Sequence, residues 1–507
     1  MGCPFSFARQ RDIGWSNLVR CKGLNQDSDS CSQDEGGQVL HKDRLFPSED
    51  AARAVAAKLY ESIKDLPIIS PHGHTDPQWF AENKPFPDPT ALFIQPDHYI
   101  FRMLYSQGIQ LEALGIPQAG AKGDPAASAD PREVWRIFAR NYYLFRGTPT
   151  RIWIDYAFSN LFGLTERLKP ENADEYYETI AKALNTPEFL PRALFDRFKI
   201  EVLATTDAAV DDLKWHKQIR ESGWKGRVIP TFRPDAVVDA EYIGFQDNLK
   251  KLGEVTGEDV SNFKGYLTAL RSRRAFFKSM GATATDHGHL TALTADLSPE
   301  EAARLYTRIY TGNTEAGDVE LFQAQMLTEM AGMSVEDGLT MQLHPGSVRN
   351  HNLKIYEKFG RDKGADIPAP TEYVRSLRPL LSKYGNEPNF IFILFTLDES
   401  TYSRELAPLA GHYPCLRLGP GWWFHDSPEG MMRFREQATE TAGFYNTVGF
   451  NDDTRALLSI PARHDVARRI DCAFLARLVG QHRLDEDEAF ELAFELTNGL
   501  ARKAYRL

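Results

Sequence analysis

Eight short apolar runs recur along the chain, each ending in a polar or glycine-containing segment. They cover residues 67–70, 202–206, 228–232, 282–285, 341–343, 390–395, 415–418 and 447–450. Most are β-branched or aromatic-rich and lack polar alternation, the pattern of strands buried on both faces. Longer helix-compatible segments, such as 299–310 and 371–381, separate most of them. This alternation predicts an α/β fold in which eight parallel strands close as a (β/α)8 TIM-like barrel; a doubly wound open sheet is the alternative. The stretch at about 75–198 is too long for one crossover helix. It predicts a helical insertion between the first and second strands, an added subdomain capping the barrel mouth. Upstream, Ala51, Val55, Leu59 and Ile63 recur every fourth residue. That stripe predicts a helix from an N-cap at Ser48 through Asp65, ended by Pro67.

Residues 1–41 are polar and aperiodic, and are expected to form a disordered extension ahead of a folded unit at 42–507. Their opening Met1-Gly2-Cys3-Pro4-Phe5-Ser6 fits a lipidation pattern that chance matches often. The 507-residue chain is 42% hydrophobic and 25% charged, enough for a sizeable core. A formal net charge of −11 argues against a nucleic-acid partner, which requires a basic footprint. The longest apolar run, 390–397, falls far short of the roughly 20 residues that span a bilayer, so no membrane association is expected. Arg9, Arg11, Asp12 and Lys22 interrupt any secretory apolar region. Five cysteines without a CxxC pair give no disulfide framework, and a reducing, cytoplasmic location is the default.

The strongest chemical signal is His72-Gly73-His74, immediately after the first run. Alternate strand residues share a face, so the two imidazoles point the same way and form half of a metal site. Asp286 and His287 follow the fourth run, His344 the fifth and Asp453 the eighth. Barrels place catalysis at these C-terminal strand ends. Any one of these residues alone is more simply structural; their convergence is what points to a site. The fourth run ends Thr285-Asp286-His287-Gly288-His289 without a lysine to bridge two metals, so one divalent ion is expected. Imidazole and carboxylate donors suit Zn²⁺ best and are compatible with Mn²⁺ or Fe²⁺.

Several further motifs occur in order: Asp97-His98-Tyr99 with Arg102, Thr205-Thr206-Asp207, Arg233-Pro234-Asp235, Gln342-Leu343-His344 continuing to Arg349-Asn350, Gly421-Trp422-Trp423-Phe424, and Asp453-Thr454-Arg455. With His72-Gly73-His74 they resemble the uronate isomerase (glucuronate isomerase) family of the amidohydrolase superfamily, from about residue 43 to the C-terminus. The resemblance implies interconversion of D-glucuronate with D-fructuronate, and of D-galacturonate with D-tagaturonate. It implies His72, His74 and Asp453 as metal ligands, and Tyr99, His344, Arg349 and Arg455 around a hexuronate substrate. Gly73 stands where the family often has cysteine. Asp452 competes with Asp453 as the ligand, and the D-x-R spacing to Arg455 favours Asp453.

Aldose–ketose isomerisation moves a proton from C2 to C1 through an enediol. In this reading Asp453 removes the C2 proton with Arg455 alongside, Tyr99 relays a proton near C1, and His344 holds the carbonyl oxygen. Arg349 and Arg233 are the candidates for the substrate carboxylate, although Arg233 could instead pair locally with Asp235. Of Trp422 and Trp423, one is expected to face the sugar and one to pack, and His98 to orient Tyr99. His216, His351, His412, His464 and His482 have no legible partner and read as surface or core. Residues 485–488 read as a solvated helix start. A metal-dependent hydrolase or deaminase on the same barrel is the rival reading, disfavoured by the Arg349, Arg455 and Tyr99 cluster. Oligomeric state is left open, a homo-oligomer included.

Overall fold

Seven of the eight apolar runs become parallel strands, as their two-sided burial requires; the eighth, 447–450, contributes only an isolated bridge at Thr447. The computed structural model describes residues 39–119 and 129–507. The lipidation pattern and nearly all of the polar extension therefore lie outside the described residues. The strands are β1 Ile68–Ser70, β2 Ile200–Ala204, β3 Asp207–Ala208, β4 Arg227–Ile229, β5 Phe232–Arg233, β6 Ala284–His287 and β7 Thr340–Leu343. They continue with β8 Ser347–Val348, β9 Ile367–Pro368, β10 Phe392–Leu394 and β11 Leu416–Leu418. One parallel sheet has the order β1-β2-β4 and a second the order β11-β10-β7-β6-β5-β3, while β8 and β9 form a separate antiparallel pair.

The register aligns Ile69 with Val202, Leu203 with Val228, Thr285 with Met341, and Phe392 with both Met341 and Leu416. Backbone bonds from Thr205 N to Ile229 O (2.9 Å) and from Asp207 N to Thr231 O (3.0 Å) carry the ladder from one sheet into the other. At the far end Leu418 bridges Thr447 in parallel. Beyond that bridge, Asp453 N donates to His72 O (3.3 Å) and His74 N to Thr454 O (3.0 Å), tying the last segment to the first. The architecture is α/β, with parallel sheets and many helices.

Among the described residues, seven α-helices lie between β1 and β2: α2 Pro77–Glu82, α3 Pro89–Phe93, α4 His98–Ser106, α5 Pro131–Arg140, α6 Pro149–Tyr156, α7 Ala173–Leu184 and α8 Pro191–Arg197. Their starts are written in the sequence. Asp76, Asp88 and Asp130 each cap a helix whose first residue is proline, which has no N–H to leave unpaired. Phe93, Trp135, Phe138 and Ile154 from these helices share one core with Ile68, Ile200 and Leu203 of the strands. A second core joins Phe232, Met341, Phe392 and Leu416 to later helices, including Asp318–Asp337.

Several boundaries depart from expectation. Helix α1 spans Asp50–Ile63; Glu49 rather than Ser48 is its cap, and no side chain closes it. Its buried residues are Ala56, Leu59 and Ile63, while Ala51 is exposed, because the buried face follows 3.6 residues per turn rather than four. The fourth strand begins two residues late because Ala282 still bonds back to Phe277 O (3.0 Å), completing the preceding helix end at Gly281. Residues 371–377 are not helical, since the Glu372 carboxylate accepts from Arg375 N and Ser376 N and holds them in a turn; the helix is Arg378–Tyr384. Residues 485–488 do open a helix, with Asp485 and Glu488 forming a capping box. Cys415 and Cys472 are buried free thiols, and no helix among the described residues is long and apolar enough to cross a membrane.

Candidate active site

A cavity of about 570 Å³ opens where the parallel strands end, and ten of the residues singled out from the sequence line it, while His287 faces away. The ten are His72, His74, His98, Tyr99, Arg233, His344, Arg349, Trp422, Asp453 and Arg455. His72 and His74 leave β1 on either side of Gly73, where a methyl group would meet nothing closer than 3.5 Å, so the site does not demand glycine there. Asp453 Oδ1 lies 3.4 Å from His72 Nε2 and 3.1 Å from His74 Nε2. His344, from the end of β7, stacks on His72 with ring centroids 4.6 Å apart. Donor atoms of His72, His344 and Asp453 all lie within 4.8 Å of one another, the spacing of groups able to share an ion. The group that meets this spacing is His72, His344 and Asp453; His74 stands outside it, linked through Asp453 alone.

Asp453 reaches this position through a left-handed backbone (φ +40°), a conformation that L-residues seldom adopt. Its neighbour turns away. Asp452 is fully buried and takes a contact from His464 Nε2 at 3.0 Å, leaving Asp453 as the carboxylate of the cluster. Burial disfavours charge on His72, yet Asp453 and Asp286 together outweigh it and raise its pKa. Burial would likewise raise Asp453, but His72 and His74 hold it well below the usual carboxylate range.

A chain of charges runs behind His344. Its Nδ1 lies 2.6 Å from Asp286 Oδ1, and Arg233 Nη1 lies 3.3 Å from Asp286 Oδ2. Arg233 Nε also donates to Asp235 Oδ2 at 2.7 Å, and Gly288 N donates to the same carboxylate. Arg233 therefore makes the local Arg-Pro-Asp pair while also lining the cavity. Burial would raise the Asp286 pKa, but Arg233 first, then His344, hold it well below the ordinary value. Burial keeps the His344 imidazole neutral despite that carboxylate. An ionised Asp286 fixes the proton on Nδ1 and turns Nε2 free toward the cavity.

Helix α4 presents His98 and Tyr99 at its first turn, because Asp97 caps it through Tyr99 N (2.9 Å). His98 stacks on Tyr99 at 5.0 Å, and Tyr99 meets the Trp153 ring edge-on at 5.7 Å. Buried Arg463 lies beneath both rings and pairs with Asp426. Trp422 is buried with its ring against His344 (4.8 Å), whereas Trp423 is half-buried, with the Arg349 guanidinium 5.5 Å from its ring centroid. Arg349 Nη1 donates to Asp366 Oδ2 at 2.9 Å, and Arg455 Nη2 lies 3.3 Å from Asp362 Oδ1. Each of these guanidiniums remains more than a third exposed to the cavity. Arg455 is thus paired with Asp362 rather than with Asp453. Sequence reasoning missed Asp362, Asp366, Arg463, Asp426 and the partner of His464. None lies at a spacing that marks it, and each meets its partner only through the tertiary fold.

An H-x-H pair, a third histidine and an aspartate lining one cavity together with several arginines make a metal-competent site suited to a small anion. Comparison with known proteins narrows the class. Residues 45–500 match the model of the family described as glucuronate isomerase. A uronate isomerase from Rhizorhabdus wittichii is 62% identical over 468 residues, covering 92% of this chain and 98% of that protein. The crystal structure of glucuronate isomerase from Caulobacter crescentus superposes with a TM-score of 0.90 at 60% identity, covering 92% of this chain and 97% of the other. A uronate isomerase structure from Thermotoga maritima gives a TM-score of 0.85 at 27% identity, covering 92% and 99% respectively. The chain belongs to the glucuronate isomerase family.

Proposed function

We propose that this chain, an aldose–ketose isomerase by family, interconverts D-glucuronate with D-fructuronate and D-galacturonate with D-tagaturonate. The observation that carries the reading is the meeting of His72, His74 and Asp453 in a cavity that Arg349 and Arg455 also enter. A hydrolase or deaminase could use the first three residues. The arginines suit a carboxylate-bearing polyol.

The strands are read as a (β/α)8 barrel, supported by the ladder that runs from β1 around to Thr447 and returns through Asp453 to His72. Helices α2–α8 are read as an insertion over its mouth, since α4 brings Tyr99 to the cavity.

One divalent ion, Zn²⁺ by donor type, fits between His72, His74 and Asp453, with His344 adjacent. The fit rests on the convergent donors of His72, His344 and Asp453, on His74 Nε2 lying 3.1 Å from Asp453 Oδ1, and on Nε2 of His344, which is buried without a hydrogen-bond partner among the described residues. When bound, the ion would supply positive charge to stabilise oxygen anion character during enolisation. Arg349, and Arg455 beside it, bind the substrate carboxylate and set C1 and C2 before Asp453. Asp453 takes the C2 proton as base. Tyr99, held between His98 and Trp153, hands a proton on near C1. His344, its proton fixed on Nδ1 by Asp286, holds the carbonyl oxygen end of the sugar; Trp422 and Trp423 shield the site from water.

The test is incubation with each uronate in D₂O, followed by NMR. Ketose formation with solvent deuterium entering the carbon chain supports the reading. Absence of ketose from both sugars with metal-replete protein overturns the function, and full retention of the C2 hydrogen in the ketose overturns the proton-transfer route.

A further inference from the structure

The triplet His-Gly-His occurs twice in this chain, and only the first copy belongs to the cluster at the strand ends described above. The second is His287-Gly288-His289, at the end of β6. Asp286 faces the cavity, so strand alternation sends His287 to the opposite side. There His287 is 0% exposed and His289 7% exposed. Ligand-capable atoms of Asp235, His287 and His289 lie within 4.8 Å of one another. Nδ1 of His287 and Nε2 of His289 are buried and have no hydrogen-bond partner among the described residues. Buried polar atoms are nearly always paired, so two unpaired ring nitrogens beside one carboxylate mark a place built for an occupant.

The state of each donor suits a cation. Burial pushes His287 down to about 3 and also lowers His289, so both rings are neutral and able to offer a lone pair. Asp235 accepts from Arg233 Nε at 2.7 Å and from Gly288 N at 3.1 and 3.2 Å, which leaves acceptor capacity on Oδ1. Arg233 would oppose a nearby cation, but it also lies 3.3 Å from Asp286, whose carboxylate partly offsets its charge.

We propose that Asp235, His287 and His289 form a second divalent-cation site, of the zinc class, separate from the cluster of His72, His74 and Asp453. Two imidazole nitrogens and one carboxylate oxygen are a common zinc ligand set, with the fourth position left to water. Bonds of about 2.0–2.1 Å would draw the donors to ~3.4 Å apart, a closure that ring rotation provides. Such an ion does not touch the sugar. It fixes the carboxylate on which Arg233 rests, and through Asp286 the orientation of His344. The site stands whether or not the first cluster holds a metal.

The experiment strips the full-length protein with a chelator and titrates it with Zn²⁺ alone, reading stoichiometry by calorimetry and elemental analysis. Zinc-edge anomalous scattering from crystals of the loaded protein locates the ions. Two equivalents for the unaltered protein, one for His287→Gln/His289→Gln, and an anomalous peak between Asp235, His287 and His289 are expected. Absence of an anomalous peak between Asp235, His287 and His289 in the zinc-loaded crystals, at either stoichiometry, overturns the proposal. The crystal measurement on the unaltered protein decides the matter even where the double substitution prevents folding. Loss of isomerase activity with the second peak retained would count against the proposed function alone.

Discussion

Asp286 holds His344: the Oδ1–Nδ1 separation is 2.6 Å, and both side chains are buried. The pair is a carboxylate beside a neutral imidazole, and it decides which nitrogen faces the cavity. Asp286→Asn preserves size but can present an amide N–H to Nδ1 and reverse the tautomer. Kcat should then fall by about 10²–10⁴-fold, the scale seen when a buried carboxylate partner of histidine is neutralised. Steady-state kinetics with the fold checked by circular dichroism will measure it; a loss under tenfold would leave His344 without its assigned part.

Asp453 is asked to serve both as ligand and as base. Asp453→Asn should lower the rate of C2 hydrogen exchange with solvent by at least about 10³-fold, since a general base contributes on the order of 10²–10⁴. Deuterium wash-in observed by NMR on bound substrate separates this from a weaker metal affinity, which excess Zn²⁺ would repair. Exchange that survives the substitution places the base elsewhere.

The arginines should divide by role. Arg349 is more than a third exposed and has one carboxylate partner, so Arg349→Met should raise KM about tenfold or more while the thermal midpoint barely moves. Arg233 sits between two buried carboxylates, and Arg233→Met leaves both without a cation. Breaking a buried pair in this way costs roughly 3–5 kcal/mol, so the second variant should lose stability first. Parallel kinetics and thermal melts compare the two directly.

His216 links stability to pH. It is buried on the helix Lys214–Glu221, within 2.9 Å of Thr205 Oγ1, and burial pushes its pKa down to about 4. The unfolded imidazole titrates near 6.5, so between 6.5 and 4 the unfolded chain binds the extra proton. Its contribution is complete above pH 6.5 and is lost as pH falls toward 4, amounting to about 1 kcal/mol by pH 5.5. His216→Gln should flatten that part of the melting-temperature profile relative to the parent. An unchanged slope would mean that the imidazole charges freely inside the fold.

The strands were legible because a strand covered on both faces must be apolar along its length, as at 390–395. Their limits were less so, because the turn at Ala282 is decided by a bond back to Phe277 rather than by residue type. In the site, His72 and His74 announce themselves by two-residue spacing, and Asp453 by its place before Arg455. The pairing of Asp452 with His464, or of Arg455 with Asp362, leaves no such trace. Each joins a strand end to a helix or loop whose approach depends on how the chain packs. Ser48 failed as a cap for the opposite reason: a favourable residue type stood one position from where the helix began.

The bonds from Asp453 to His72 and from His74 to Thr454 also bear on the order of assembly. A ribosome releases both histidines long before it reaches their aspartate, so a nascent chain carries an open pair of imidazoles through most of its synthesis. On the proposed reading, ion capture and catalytic competence would arrive together, once the segment carrying Asp453 docks against the first strand. A product truncated before that segment would keep the H-x-H pair and lose the carboxylate that lies against it.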